Sequence, residues 1–261
     1  MNTTDIDWCD MTWNPVTGCR HDCPYCYAHQ ITNRFGGHDD GKVTFTADGL
    51  PVLDGPMVRK KKNGELATAP YPFYFEPTFH RYRLDEPGKM KEKRNVFVCS
   101  MADLFGRWVP VEWIVQVLDA CLAAPQHNYL FLTKNPKRYL ELDEMALLPR
   151  RDNFWYGSTV TDENVKYFYS NRHNTFLSVE PMQGPLYGSP ELSMDWVIVG
   201  AETGNRKGKI IPEREWVTKL TEHCRLARVP LFMKKNLVKT GVLTRDELIQ
   251  ELPLALETAC S

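Results

Sequence analysis

Residues 95–133 read NVFVCSMADLFGRWVPVEWIVQVLDACLAAPQHNYLFLT. Each end of this stretch is a short apolar run rich in β-formers, 95–100 (NVFVCS) and 128–133 (NYLFLT). Both runs are apolar on their two alternating faces, the pattern of strands covered from both sides. Between them, 111–123 sets Trp113, Val117 and Cys121 at i, i+4 and i+8, one apolar stripe of a helix. Strand, helix and strand in this order predict two parallel strands joined by a right-handed crossover.

The same rhythm continues outward. Further buried-strand runs lie at 154–158 (FWYGS), 175–179 (TFLSV), 196–200 (WVIVG) and 230–233 (PLFM), and an earlier one within 11–17. Helical stretches fit 136–148, 162–171 and 212–227, the last opening on Pro212 with Glu213 and Glu215 near its start. Six or seven such alternations predict an α/β fold in a single domain over 1–261, a partial (β/α)6–7 TIM-like barrel. One region breaks the pattern. Residues 36–93 carry glycines, prolines and short alternating pieces such as 42–46 (KVTFT), too much chain for an ordinary connection. They read as an insertion after the first helix, with hairpins.

The composition, 43% hydrophobic and 25% charged, is that of an ordinary globule. No apolar run approaches the roughly 18 residues that a membrane span requires. The polar, acidic start MNTTDIDWCD does not read as a signal peptide. Of eight cysteines, Cys9, Cys99, Cys121, Cys224 and Cys260 are scattered, and three fall within eight residues. A disulfide scaffold would be shorter and more evenly studded, so a reduced interior and a cytoplasmic location are expected.

The three close cysteines lie in GCRHDCPYCYA, residues 18–28, as Cys19, Cys23 and Cys26. Cubane iron–sulfur clusters are normally held by four thiolates. Three thiolates on one short loop leave a fourth iron without a protein ligand, and thus open to a cofactor or substrate. Zinc held with His21 or His29 is the other reading, although structural zinc sites normally show a second ligand pair.

The C-x3-C-x2-C spacing resembles the motif of the radical S-adenosylmethionine (SAM) superfamily. Further pieces follow in order: 13–19 (WNPVTGC), 26–28 (CYA), 100–105 (SMADLF), 132–134 (LTK), 178–181 (SVEP), 196–202 (WVIVGAE) and 232–234 (FMK). Together they resemble a phage-associated branch of uncertain function whose motifs are similar to those of spore photoproduct lyase. The resemblance implies a [4Fe–4S] cluster on Cys19, Cys23 and Cys26 with SAM on its open iron. It implies reductive cleavage of SAM to a 5′-deoxyadenosyl radical that takes a hydrogen atom from substrate. An electron donor such as flavodoxin or ferredoxin is then a partner. Tyr25 stands where the superfamily places an aromatic ring near adenine. Cys99 lies near the place of a hydrogen-atom donor in spore photoproduct lyase; free cysteine is also among the most buried residue types.

In parallel barrels chemistry gathers at the C-terminal ends of strands. Ser100, Asp103, Lys134, Ser158, Glu180 and Glu202 fall at such ends. Ser100 and Asp103 are candidates for the SAM ammonium, Lys134 for its carboxylate, and Ser158 for a ribose hydroxyl. Glu180 and Glu202 are candidates for ribose or substrate. The competing reading is that strand-end polar residues cap helices.

Net charge is only −1, yet basic residues recur at the same ends: Lys134, Lys137 and Arg138; Arg206, Lys207 and Lys209; Lys234 and Lys235. Residues 59–94 hold ten Lys or Arg against five Asp or Glu, interleaved with Tyr71, Phe73, Tyr74, Phe75, Phe79, His80 and Tyr82. Basic residues around one mouth suit a polyanion, so a nucleic acid or nucleotide substrate is expected. These aromatics equally suit the core of the insertion. A radical SAM enzyme acting on a small metabolite or peptide, and a non-catalytic metal-binding protein, are the other function classes.

Overall fold

The computed structural model describes residues 1–186 and 194–257. Cys260 lies outside the described residues.

The main sheet contains β1 (Asn2–Thr3), β2 (Met11–Trp13), β9 (Asn95–Val98), β10 (Asn128–Thr133), β11 (Phe154–Val160), β12 (Asn174–Val179), β13 (Trp196–Val199) and β14 (Leu231–Met233), in that spatial order. From β2 to β14 every neighbouring pair is parallel, and β1 runs antiparallel along β2. The elements missing from this list, β3 (Val16–Thr17), β4 (Thr44–Phe45), β5 (Pro51–Leu53), β6 (Val58–Lys60), β7 (Leu66–Thr68) and β8 (Thr78–His80), build two smaller sheets. The α-helices among the described residues are α1 (Tyr27–Phe35), α2 (Glu86–Lys89), α3 (Val111–Leu122), α4 (Lys137–Glu144), α5 (Arg214–Ala227) and α6 (Asn236–Lys239).

The expected TIM-like barrel is not formed. The sheet is open and mixed, and the six α-helices among the described residues are short. Two features account for this. First, both edges are occupied by antiparallel chain: β1 covers β2, while Met233 N donates to Ile249 O at 2.7 Å and Glu251 N to Leu231 O at 2.9 Å along β14. An edge already paired has no free ladder with which to close a barrel. Second, the helix expected at 162–171 is absent. Asp162 Oδ1 accepts from the backbone N of Asn164 at 2.9 Å and from its side chain at 3.1 Å, a local turn that competes with helix. The strand expected within 11–17 is likewise two pieces, β2 and β3, which belong to different sheets.

Both faces of the main sheet are buried. Even-numbered residues of β9 and β11 (Val96, Val98, Phe154, Tyr156) join Trp113, Ile114 and Val117 of α3 and Tyr139 of α4 in one core. The opposite face carries Phe97, Leu130, Trp155, Phe176, Trp196, Ile198 and Phe232, covered by Trp8 and Leu256. Trp8 meets Phe97 at 4.8 Å and Trp196 edge-on at 6.1 Å between centroids. Gly157 belongs here for a steric reason: a Cβ would lie 2.3 Å from the Phe176 ring.

The insertion's β8, β5 and β4 join β3, which precedes α1, in a four-stranded sheet, with β6 and β7 as a separate hairpin. The piece at 42–46 becomes β4, one arm of an antiparallel pair with β5. Of the insertion's aromatics, Phe79 is core, stacked on Trp113 at 5.1 Å, and His80 is fully buried against Thr17 Oγ1 at 2.9 Å. No helix among the described residues is long and apolar enough to cross a membrane.

The C-terminal part is tied to α5 by Arg214, which pairs with Glu247. Glu247 also closes a capping box with Thr244. Arg214, then the Thr244 donors, hold the Glu247 carboxyl down at about 2 against the usual 4.5. A lowered folded value means that this contribution to stability is complete above 4.5 and fades as pH falls towards 2. Glu247 followed by carboxyl NMR should therefore titrate well below the other exposed glutamates, and Arg214→Ala should bring it back towards 4.5. An ordinary midpoint in the native chain would contradict the clamp.

Candidate active site

The cysteine loop is held by backbone contacts from two directions. Gly18 N donates to Met101 O at 2.9 Å, at the end of β9, and Cys19 N donates to Phe75 O at 3.0 Å, in the insertion. Gly18 adopts φ +86, and a Cβ there would lie 2.3 Å from the Glu76 carbonyl oxygen, so only glycine allows this approach. Cys26 N closes a turn onto Cys23 O at 3.1 Å, and α1 starts at the next residue. The positive end of α1 therefore adjoins the thiol loop, although burial outweighs it at Cys19 and Cys23, whose thiols are raised.

A side-chain hub fixes the loop from below. Asp103 Oδ1 accepts from Thr133 Oγ1 at 2.7 Å and from Phe105 N at 3.0 Å. Its Oδ2 accepts from Lys134 N at 2.9 Å and contacts His21 Nε2 at 2.7 Å. The ring of His21 also meets Trp108 edge-on at 4.8 Å. Asp103 thus ties the ends of β9 and β10 to the cysteine loop, and its acceptor sites are engaged within the protein.

Above the C-terminal ends of the parallel strands lies a cavity of about 650 Å³. Cys19, Cys23 and Cys26 all line it, as do Tyr25, Ser100, Asp103, Lys134, Glu180 and Glu202. Burial pushes the Cys19 thiol up to about 12, and the neighbouring Asp103, Cys23 and Cys26 add to this. Burial also raises Cys23, while Lys134 draws it down. Lys134 Nζ sits 5.7 Å from the Tyr25 ring centroid. Among the described residues Lys134 makes no ion pair, unlike Lys234, the other lysine that lines the cavity. Lys234 Nζ pairs with Glu180 Oε1 at 2.6 Å, and Arg206 grips Glu202 through two contacts of 2.7 Å. Lys137 and Arg138 lie against Glu141 at 3.5 and 3.4 Å. Of the basic residues expected at the mouth, Lys137, Arg138, Arg206 and Lys234 are thus paired with glutamates, while Lys134, Lys207, Lys209 and Lys235 form no ion pair among the described residues.

Two expected site residues are elsewhere. Ser158 does not line the cavity. It is fully buried on the helix side of β11, where its Oγ accepts from Phe168 N at 2.9 Å. Its neighbour Thr159, on the other face, lines the cavity in its place. Cys99 is also absent from the lining. Alternation would put it on the Phe97 face, but φ +60 turns it into the core with Trp113 and Cys121, where burial pushes its thiol up to about 12. Ser158→Ala should thus cost about 1–3 kcal/mol by leaving the buried Phe168 N–H unpaired. Urea unfolding should show this loss with the chemistry of the cavity unchanged.

Sequence reasoning overlooked Asn14, Thr159 and Ser178 in the lining. Asn14 Oδ1 accepts from Met101 N at 2.9 Å and from Ser100 Oγ at 3.2 Å, so Ser100 is oriented by it. The period-two alternation of β11 and β12 was the signal that could have found Thr159 and Ser178.

As for a metal, the donor set has the right chemistry for an iron–sulfur cluster: three thiols from one short loop facing a common cavity. No group of three His, Cys, Asp or Glu side chains among the described residues is already gathered as a metal site.

The family model described as "Protein of unknown function (DUF5131)" matches residues 3–246. The chain belongs to the DUF5131 family. The matched segment of this DUF5131 chain includes the cysteine loop, the insertion and every strand end named above. No curated protein and no solved structure matches it.

Proposed function

We propose that this chain is a radical SAM enzyme. One observation carries the reading: Cys19, Cys23 and Cys26 open onto a single strand-end cavity together with Lys134, a cation without a carboxylate partner among the described residues. The three thiols would hold three corners of a [4Fe–4S] cluster, and such a cluster supplies one-electron reductive cleavage of a bound sulfonium. The remaining work falls to side chains. Lys134 receives the carboxylate of the methionine part, in a cavity where its charge is little screened. Tyr25 offers a ring beside that lysine. Asp103 acts through His21, holding the loop rather than receiving the ammonium. Thr159 replaces Ser158 as a hydroxyl for ribose.

The substrate in this reading is a nucleic acid or nucleotide, supported by the aromatic lining from Tyr27, Tyr71 and Phe75. A single-electron donor such as flavodoxin or ferredoxin and a cytoplasmic, thiol-preserving compartment complete it. Anaerobic reconstitution with iron and sulfide should load about four irons per chain. Reduction in the presence of SAM should then release 5′-deoxyadenosine. Zinc at the three thiols, or a loaded cluster that leaves SAM intact, would overturn the reading.

A further inference from the structure

The cavity has two chemically different ends. One is the thiol end, with the cysteine loop, Tyr25 and Lys134. The other is formed where β12 and β14 finish, by Glu180 and Lys234, with Ser178 on the same face of β12. Alternation explains why they meet. Phe176, Ser178 and Glu180 follow one another on one face of β12, and Phe232 and Lys234 on the same face of β14. The lower members fill the aromatic core, and the upper members rise into the cavity.

Glu180 and Lys234 are both partly exposed there, with 23% and 17% of their side-chain surfaces open. Lys234 Nζ lies 2.6 Å from Glu180 Oε1, and Asn236 Nδ2 reaches the same oxygen at 3.4 Å. Among the described residues Oε2 of Glu180 receives no donor. The ammonium of Lys234 has further N–H groups beyond the one directed at Glu180. The pair therefore shows the cavity an acceptor beside a donor, with no net charge.

We infer that Glu180 and Lys234 form a substrate subsite for an uncharged group carrying a donor and an acceptor side by side, as on the Watson–Crick edge of a nucleobase. A free anion is a poorer fit, since a phosphate or carboxylate on the remaining N–H groups of Lys234 would lie against the Glu180 carboxylate and be repelled by it. A base edge leaves the pair intact, its N–H donating to Glu180 Oε2 and its carbonyl accepting from Lys234 Nζ. The phosphates of a larger substrate then lie outside this subsite. This rests on the nucleotide side of the proposed function and narrows it to the base.

The test is binding to the full chain, followed by calorimetry, with thymidine, 3-methylthymidine and thymidine 5′-monophosphate as probes. Thymidine should bind, and methylation at N3, which removes the donor, should weaken it by about tenfold or more, as for any site built around a specific N–H. The monophosphate should bind no more tightly than the nucleoside, with little dependence on salt. Glu180→Gln and Lys234→Met should each weaken thymidine by about tenfold, while Lys137→Met, on an exposed lysine, should not. The comparison of probes uses the unaltered chain, so it stands even where a variant folds poorly. Absence of thymidine binding, equal binding of the methylated probe, or a salt-sensitive preference for the phosphate would each overturn the subsite. The assay needs no SAM cleavage. Normal probe discrimination in a chain that never yields 5′-deoxyadenosine would sink the radical reading and leave the subsite standing.

Discussion

Cys23→Ser, Cys19→Ser or Cys26→Ser alone should strip the reconstituted chain of its iron and lower 5′-deoxyadenosine formation by about 10³-fold or more. That is the scale expected when one member of a unit that acts together is removed. The three positions should fail alike, because two thiolates and a hydroxyl cannot replace three thiolates on soft metal ions. The contrast lies in the other cysteines. Cys99→Ala and Cys121→Ala remove thiols buried in the α3 core, away from the cavity. They should cost stability, about 1 kcal/mol each, and leave iron content and SAM cleavage intact. Normal iron and normal SAM cleavage in Cys99→Ala, with loss of the final substrate product, would restore a hydrogen-donor role to that thiol. Equal iron in Cys23→Ser and the native chain would remove the basis of the proposed chemistry. Iron counting separates these results before any turnover is measured.

The strands of the fold were legible because they are buried on two faces and appear as unbroken apolar runs. Six of the seven parallel strands in the main sheet start within one residue of the runs at 95, 128, 154, 175, 196 and 230. What closes or fails to close such a sheet is written less plainly. The antiparallel cover on β14 comes from 249–251 (IQE), a segment too short to show a strand pattern, whose pairing depends on backbone hydrogen bonds. The lost helix at 162–171 turned on one aspartate choosing backbone close by. In the candidate site, the cysteine loop could be read from spacing alone. Ser158 and Thr159 could not be told apart, since Phe154, Tyr156 and Trp155 make both faces of β11 apolar and remove the polarity cue that normally fixes inside and outside. The pairing of Arg206 with Glu202 and of Lys234 with Glu180 was also hidden. The first is an i, i+4 contact in irregular chain, and the second joins strands 54 residues apart. Charge counted along the sequence therefore overstated the field at the mouth.

Asp103→Ala should be the most damaging single change outside the thiols. The carboxylate is 7% exposed and receives two backbone N–H groups, one hydroxyl and the His21 ring. Alanine leaves the Phe105 and Lys134 amides without acceptors in a place water reaches poorly. Each such orphan costs about 1–3 kcal/mol, and bonds to a charged acceptor lie at the upper end. The sum, about 3–5 kcal/mol, would lower the melting temperature of a chain this size by on the order of 10 °C. Asp103→Asn should recover only part of this, because its amide nitrogen must face one of the N–H donors that the carboxylate accepted. His21→Ala gives the discriminating comparison. It keeps three of the four Asp103 contacts, so it should spare most of the stability, yet it removes the side-chain tie between the cysteine loop and the Asp103 hub, leaving the backbone contact of Gly18 with Met101 on that side. Iron retention in His21→Ala should then fall more than its melting temperature does, whereas in Asp103→Asn both should fall together. If His21→Ala loaded iron and cleaved SAM as the native chain does, the Asp103 hub would be a device of the fold alone, with no part in presenting the thiols to the cavity.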